Sequence, residues 1–263
     1  LAAHRRAGFF STVHNRVAAG CTPDIREANY KEYSTNFWEA LCGKTRLGAT
    51  IEKPDFNGDG LTSYAEAHGH VILTSDTIDV PVKTSDAFLR RYSSAKPTKD
   101  KGEENATGTW LRTEDDYAKI LEAAAPVESA ILEGLSAKLK LEDANRAKEA
   151  RDLMKELEDK RKELADKKKK HETERNRIKG KLAAEIRKRW PEVGNPYHPT
   201  ARALFEPEQA KQVLALVKRD GEWGKYRKAK GEISGLDKKR FELDRKKVKC
   251  MRFLRALENV VLE

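Results

Sequence analysis

The stretch from Asp55 to Glu66 reads DFNGDGLTSYAE, and its oxygen-bearing residues are spaced to surround a hard cation. Asp55, Asn57 and Asp59 fall at positions one, three and five of a twelve-residue loop. Gly60 takes position six, where the backbone must turn sharply. Leu61 would offer its carbonyl at position seven, Ser63 would hold a water at position nine, and Glu66 would clasp the ion with both oxygens at position twelve. Calcium takes six to eight oxygen ligands, and this spacing converges that many on one point.

That is the pattern of an EF-hand loop, and a plainer reading stands beside it. Asn-Gly-Asp-Gly is also an ordinary turn sequence, and Ser63-Tyr64-Ala65-Glu66 is also a capping box, with Glu66 reaching back to the backbone of Ser63. Pro54 keeps Lys53 out of the helical region, so no helix runs straight into the loop. A lone loop-then-helix unit, as in dockerin-like repeats, fits better than a paired EF-hand.

The elements that must position this loop lie in the first 93 residues. Those residues carry 11 Lys and Arg against 11 Asp and Glu, and ten of the nineteen aromatics of the 263-residue chain. The rest carries 42 basic and 32 acidic residues and therefore the whole net charge of +10. A globular front third and a solvated helical remainder follow from that contrast. Ala7 to Val13 reads as a buried strand. Ala28 to Leu41 reads as a helix, with Tyr30, Tyr33, Phe37 and Leu41 on one face, Trp38 beside them and Gly43 at its end. The exit helix of the loop runs from about Ser63 to Leu73, with His68 and His70 structural or solvent-facing. Val80-Pro81-Val82 is extended, and Thr84 or Ser85 caps a short helix through Arg91.

GFFSTVHNRVAAGCTPDI, YKEYSTNFWEALCG, DFNGDGLTSYAEAH and TIDVPVKTSDAFLRRYS together resemble the C-terminal part of bacterial caspase/legumain-like cysteine peptidase domains. The resemblance covers about residues 7–93. It implies a small α/β-type remnant carrying the calcium loop. The family's dyad is a His-Gly after one strand and a Cys ending a later strand. His14 precedes Asn15, and Cys21 lies only seven residues beyond it, so neither supplies that pair. No catalytic residue is assigned, and no peptidase activity is expected of this chain alone.

Residues 94–113, rich in Lys, Gly, Thr and Glu, read as a linker. Residues 114–263 read as a long antiparallel helical hairpin, so the expected fold class is mainly α. Thr113-Glu114-Asp115-Asp116 opens a first helix, interrupted at Ala125-Pro126. A second helix runs from Val127 to Trp190, with Leu157, Leu164, His171 and Ile178 seven apart. Pro191, Pro196 and Pro199 end it. The return arm begins at Glu206, bends at residues 220–224, and carries Leu236, Leu243, Cys250 and Leu257 in one register. The arms would span roughly 95 and 85 Å at about 1.5 Å per residue. A turn centred near Tyr197–His198 makes facing residue numbers sum to about 396. Leu182 then meets Leu214, Leu164 meets Ile233, Leu153 meets Leu243, Leu139 meets Leu257, and His171 lands between Trp223 and Tyr226. A parallel dimer of open arms is the alternative.

Three cysteines, Cys21, Cys42 and Cys250, are odd in number and far apart, which gives no disulfide framework or zinc spacing and favours a reducing, cytoplasmic setting. No apolar run is long enough to span a bilayer. Lys167 to Lys170 and Lys246-Lys247 suggest nucleic acid, but the 32 interleaved acids are the ordinary look of a solvated coiled coil. The expected function is a calcium-binding module whose coiled-coil tail recruits a protein partner or its own copy, as the C-terminal portion of a caspase-like peptidase. A non-enzymatic calcium-binding scaffold is the alternative.

Overall fold

The computed structural model describes residues 7–16, 18–19, 32–93, 111–219 and 221–263. Tyr30, Cys21 with its Thr22-Pro23-Asp24 turn, and the linker through residue 110 lie outside them. Among the described residues the chain is mainly helical, with nine α-helices and one two-stranded sheet. It divides into two compact units, residues 1–158 with 244–263, and residues 159–243. The globular part thus extends well past residue 93 and includes the far end of the chain.

In the first unit, β1 (Phe9–Phe10) pairs antiparallel with β2 (Val82–Lys83). The strand is shorter than the Ala7–Val13 run suggests. Beyond Phe10 the backbone bends, and Val13 turns inward to pack with Val80 and Val248. Helix α1 (Tyr33–Cys42) ends at Gly43, whose φ of +69° suits the residue without a Cβ. Its Tyr33, Phe37 and Ala40 pack on Ala67 and Val71 of α2 (Tyr64–Thr74), while Trp38 stays exposed.

Helix α3 (Thr84–Tyr92) is capped one residue earlier than expected. Lys83 holds the cap position, and its N–H donates to the Asp86 carboxylate. Thr84 is diverted, because its hydroxyl accepts the Gly8 N–H at 3.0 Å. Helix α4 (Tyr117–Ala123) starts at the Asp116 cap, and α5 (Pro126–Leu139) starts on its proline. Gly69 on α2 and Gly134 on α5 permit the close approach of these two helices. A Cβ on Gly69 would sit 2.9 Å from Val127, and one on Gly134 would sit 2.6 Å from Leu73.

The continuous helix expected from Val127 to Trp190 is broken. Lys140 ends α5 in the left-handed region at φ 59°. Leu141 then folds back and buries itself, its N–H on the Ser136 carbonyl. Glu149 accepts the N–H groups of Glu142 and Asp143, and Asn145 accepts that of Lys148, so α6 restarts at Arg146 and runs to Arg189. The Glu-Asp-Ala-Asn stretch offered local side-chain acceptors that compete with a helix.

The end of α9 (Glu222–Leu262) completes this unit. Val248, Cys250, Phe253, Ala256, Leu257 and Val260 are all buried. Phe253 meets Tyr117 with ring centroids 6.3 Å apart.

In the second unit, Pro191, Pro199 and Pro207 each stand at the start of a short helical piece: a 3-10 turn (Pro191–Gly194), α7 (Pro199–Ala203) and α8 (Pro207–Lys218). Proline suits a first turn, where its missing N–H is not needed. Gly221, at φ +69°, precedes the start of α9, and Trp223 stacks on Tyr226 inside that helix. Lys168 of α6 bonds Asp237 of α9 at 2.7 Å. Arg175, seven residues on, lines a shallow groove with Lys230, seven residues back, so here the two helices run antiparallel. The Lys168–Asp237 pair sums to 405 rather than 396. In the first unit the Glu158–Lys247 pair, at 2.6 Å, gives the same sum. The shift arises because the proline segment is not a symmetric loop about Tyr197–His198 but a run of helical turns. By the same count His171 is level with Ser234, not with Trp223 and Tyr226.

Candidate metal centre

The loop ahead of α2 is closed by its own side chains. Asp55 accepts the Asp59 N–H at 3.1 Å through Oδ1 and the Gly60 N–H at 2.9 Å through Oδ2. Asn57 Oδ1 also accepts the Asp59 N–H, and its Nδ2 donates to Asp59 Oδ2 at 2.9 Å. Asp59 Oδ1 accepts the Leu61 N–H at 2.8 Å. Gly58 and Gly60, at φ +73° and +80°, make these bends possible. Asp55, Asn57 and Asp59 are exposed together on the outer side of the loop.

Glu66 lies underneath, 1% exposed. Its Oε1 accepts the N–H of Phe56 at 2.7 Å and that of Asn57 at 3.4 Å. Its Oε2 accepts the Ser63 N–H at 2.7 Å, while Ser63 Oγ accepts the Glu66 N–H at 3.1 Å. This is the capping box, complete. Burial works against charge on Glu66, but the N–H groups of Ser63, Phe56 and Asn57 outweigh it and hold the carboxyl below its ordinary range. The loop therefore keeps an ionised, buried carboxylate. Among the described residues no cationic side chain pairs with it.

The structure brings Asp55, Asn57 and Asp59 together and sets Glu66 against the backbone on the inner side. Among the described residues no three His, Cys, Asp or Glu side chains already surround a common point. The donor chemistry nevertheless fits a hard cation. Each carboxylate oxygen has capacity beyond the N–H groups it accepts, and no hydrogen bond ends on the Leu61 carbonyl among the described residues. Ser63, although it caps α2, is exposed.

Two buried polar groups pack around α2: His68, which the sequence left as structural or solvent-facing, and Arg252, which it did not single out. His68 is 2% exposed, and its Nδ1 sits 2.7 Å from the Tyr33 hydroxyl. Its Nε2 has no partner among the described residues. The ring lines a cavity of about 20 Å³, room for one water, together with Lys83, Asp86, Glu128 and Asn259. Burial, aided by the positive charge of Lys83, pushes the His68 pKa down to about 3. His70 is half-buried and shifted the same way, first by burial and then by Lys138.

Arg252, from the last turns of α9, is 3% exposed and wraps the other end of α2. It donates to the carbonyls of Ile72, Ser75, Thr77 and Asp79 at 2.7–3.1 Å. Burial lowers its pKa to about 10, so it stays charged at neutral pH. The only sequence signal for this clamp was a pair of arginines, Arg252 and Arg255, inside an otherwise apolar run, Cys250 to Leu257, where a cation needs partners.

His14 lies in a turn on the surface, and Cys21 lies outside the described residues. The Cys250 thiol is fully buried and pushed up to about 12. No protein-family model matches the chain, and no curated protein or solved structure matches it. Among the described residues no helix is long and apolar enough to cross a membrane.

Proposed function

We propose that this chain is a calcium-binding module with a helical interaction tail, corresponding to the C-terminal portion of a caspase-like peptidase of the cytoplasm. The observation that carries the calcium reading is the buried Glu66 carboxylate, ionised and without a cationic partner among the described residues, at position twelve of an all-oxygen loop. A carboxylate held only by neutral N–H groups keeps its negative charge, which a bound cation would neutralise. Asp55, Asn57 and Asp59 would supply side-chain oxygens, Leu61 its carbonyl, Ser63 a water, and Glu66 both carboxylate oxygens after release of the Phe56, Asn57 and Ser63 N–H groups. Bound calcium supplies two positive charges against three carboxylates. The tail reading rests on the cross-helix pair of Lys168 with Asp237 and on the seven-residue spacing of apolar residues. It takes the form of an antiparallel coiled-coil hairpin that recruits a protein partner.

Calcium at about one hundred times its Kd stabilises a folded binder by ~2.7 kcal/mol. Thermal unfolding of the full chain should therefore shift upward with calcium, and the shift should vanish in Glu66→Gln, which retains one oxygen for the cap. An equal shift in wild type and Glu66→Gln would remove Glu66 from the ligand set.

A second reading is a calcium-binding scaffold with no enzymatic role, in which Cys250 serves only the core. Its buried, strongly raised thiol is no nucleophile. A peptidase activity of this chain that Cys21→Ala abolishes would contradict it.

A further inference from the structure

The division of the chain into two units relocates its charge. Residues 159–243 hold 25 Lys and Arg against 14 Asp and Glu, a net of +11. The other unit, with 28 against 29, is close to neutral. The excess is sharpest on α9 between Trp223 and Phe241, where seven bases meet two acids, Glu232 and Asp237. Asp237 is taken up by Lys168 and Arg240. Arg227, Lys228, Lys238 and Lys239 are exposed and have no carboxylate partner among the described residues.

Between these bases the helix is smooth. Gly224, Gly231 and Gly235 share one face, and a Cβ added at any of them would meet nothing within 4 Å. Each glycine costs a helix roughly 1 kcal/mol relative to alanine, and nothing packed against them explains that cost. The apolar side of the same stretch is already used, with Ala229 and Ile233 buried within the unit.

We propose that this face of α9 is a sequence-independent docking surface for the phosphodiester backbone of a nucleic-acid duplex. Arg227 and Lys239 stand about 18 Å apart along the helix at ~1.5 Å per residue. A duplex carries one phosphate per ~1.7 Å of axis, on the order of ten over that length. The glycines let the backbone approach, and the flanking bases release its counterions. A lipid surface fits less well, because an interfacial helix needs a free apolar face. An acidic protein fits less well, because the exposed large apolar side chain of this stretch, Phe241, lies at its C-terminal edge and is too little for an interface core.

The test is titration of the full chain into fluorescent 20-base-pair DNA and RNA duplexes, anionic vesicles and poly-glutamate, at several salt concentrations. Duplex binding with Kd on the order of 10⁻⁵ M near physiological salt is expected, weakening steeply as salt rises. Replacing Arg227, Lys228, Lys238 and Lys239 together by Gln should flatten the log–log salt slope by about four and weaken binding at least about tenfold. Circular dichroism unchanged from wild type shows that the variant is folded. DNA and RNA bound alike support the backbone reading. The proposal is overturned by absent duplex binding at low salt, by an unchanged slope in the folded variant, or by vesicles or poly-glutamate bound more tightly than either duplex.

Discussion

At the scale of single residues, the fold depends on buried polar groups whose charge states are fixed by their surroundings. His68 titrates well below its free value, so the folded state binds fewer protons than the unfolded one between about pH 3 and 6.5. Its contribution is complete above about pH 6.5 and lost as pH falls, by at most about 5 kcal/mol. Glu66, also shifted downward, acts in the same direction at lower pH. Denaturant melts should show stability falling from pH 7 to 5, with a shallower fall in His68→Gln. A variant with the same pH slope as wild type would show that His68 is not the titrating group. Arg252 satisfies four carbonyls at once. Its replacement by Ala should cost about 3–5 kcal/mol, and by Lys nearly as much, since three donors on a flexible stem cannot match the fork. An Arg252→Lys protein as stable as wild type would refute the clamp.

At the scale of elements, the register of α6 on α9 is the sharpest prediction. A short bismaleimide should link cysteines placed at 168 and 237 within one chain, and should fail with cysteines at 164 and 233. The reverse result would restore the register centred on Tyr197–His198. The sequence made helix α2, its Ser63–Glu66 cap and the Gly43 stop legible, because each depends on residues within one turn. The break at Lys140 to Asn145 was missed because a lysine in the left-handed region leaves no pattern. The register was missed because heptad spacing says which face is apolar but not where the turn is centred. For the candidate site, the loop residues were all legible. The His68–Tyr33 contact and the Arg252 clamp were not, since each needs partners from distant segments.

At the scale of the whole molecule, the last twenty residues belong to the fold of the first unit. Truncation after Leu243 removes Val248, Phe253, Leu257 and Arg252 together, and should abolish cooperative unfolding of what remains. Replacing residues 159–243 by a short glycine-rich loop should instead leave that unit folded, because Glu158 and Lys247 already meet. A cooperative melt in the first variant, or its loss in the second, would contradict the division into units. The Asp55–Glu66 loop sits in the same unit, so the proposed calcium binding should survive removal of residues 159–243. The most direct measurement is calorimetric titration of the full chain with calcium. A single site with Kd on the order of 10⁻⁵ to 10⁻³ M, weakened in Glu66→Gln, is the expected result. No calcium heat at millimolar ion, with the protein folded, would contradict it.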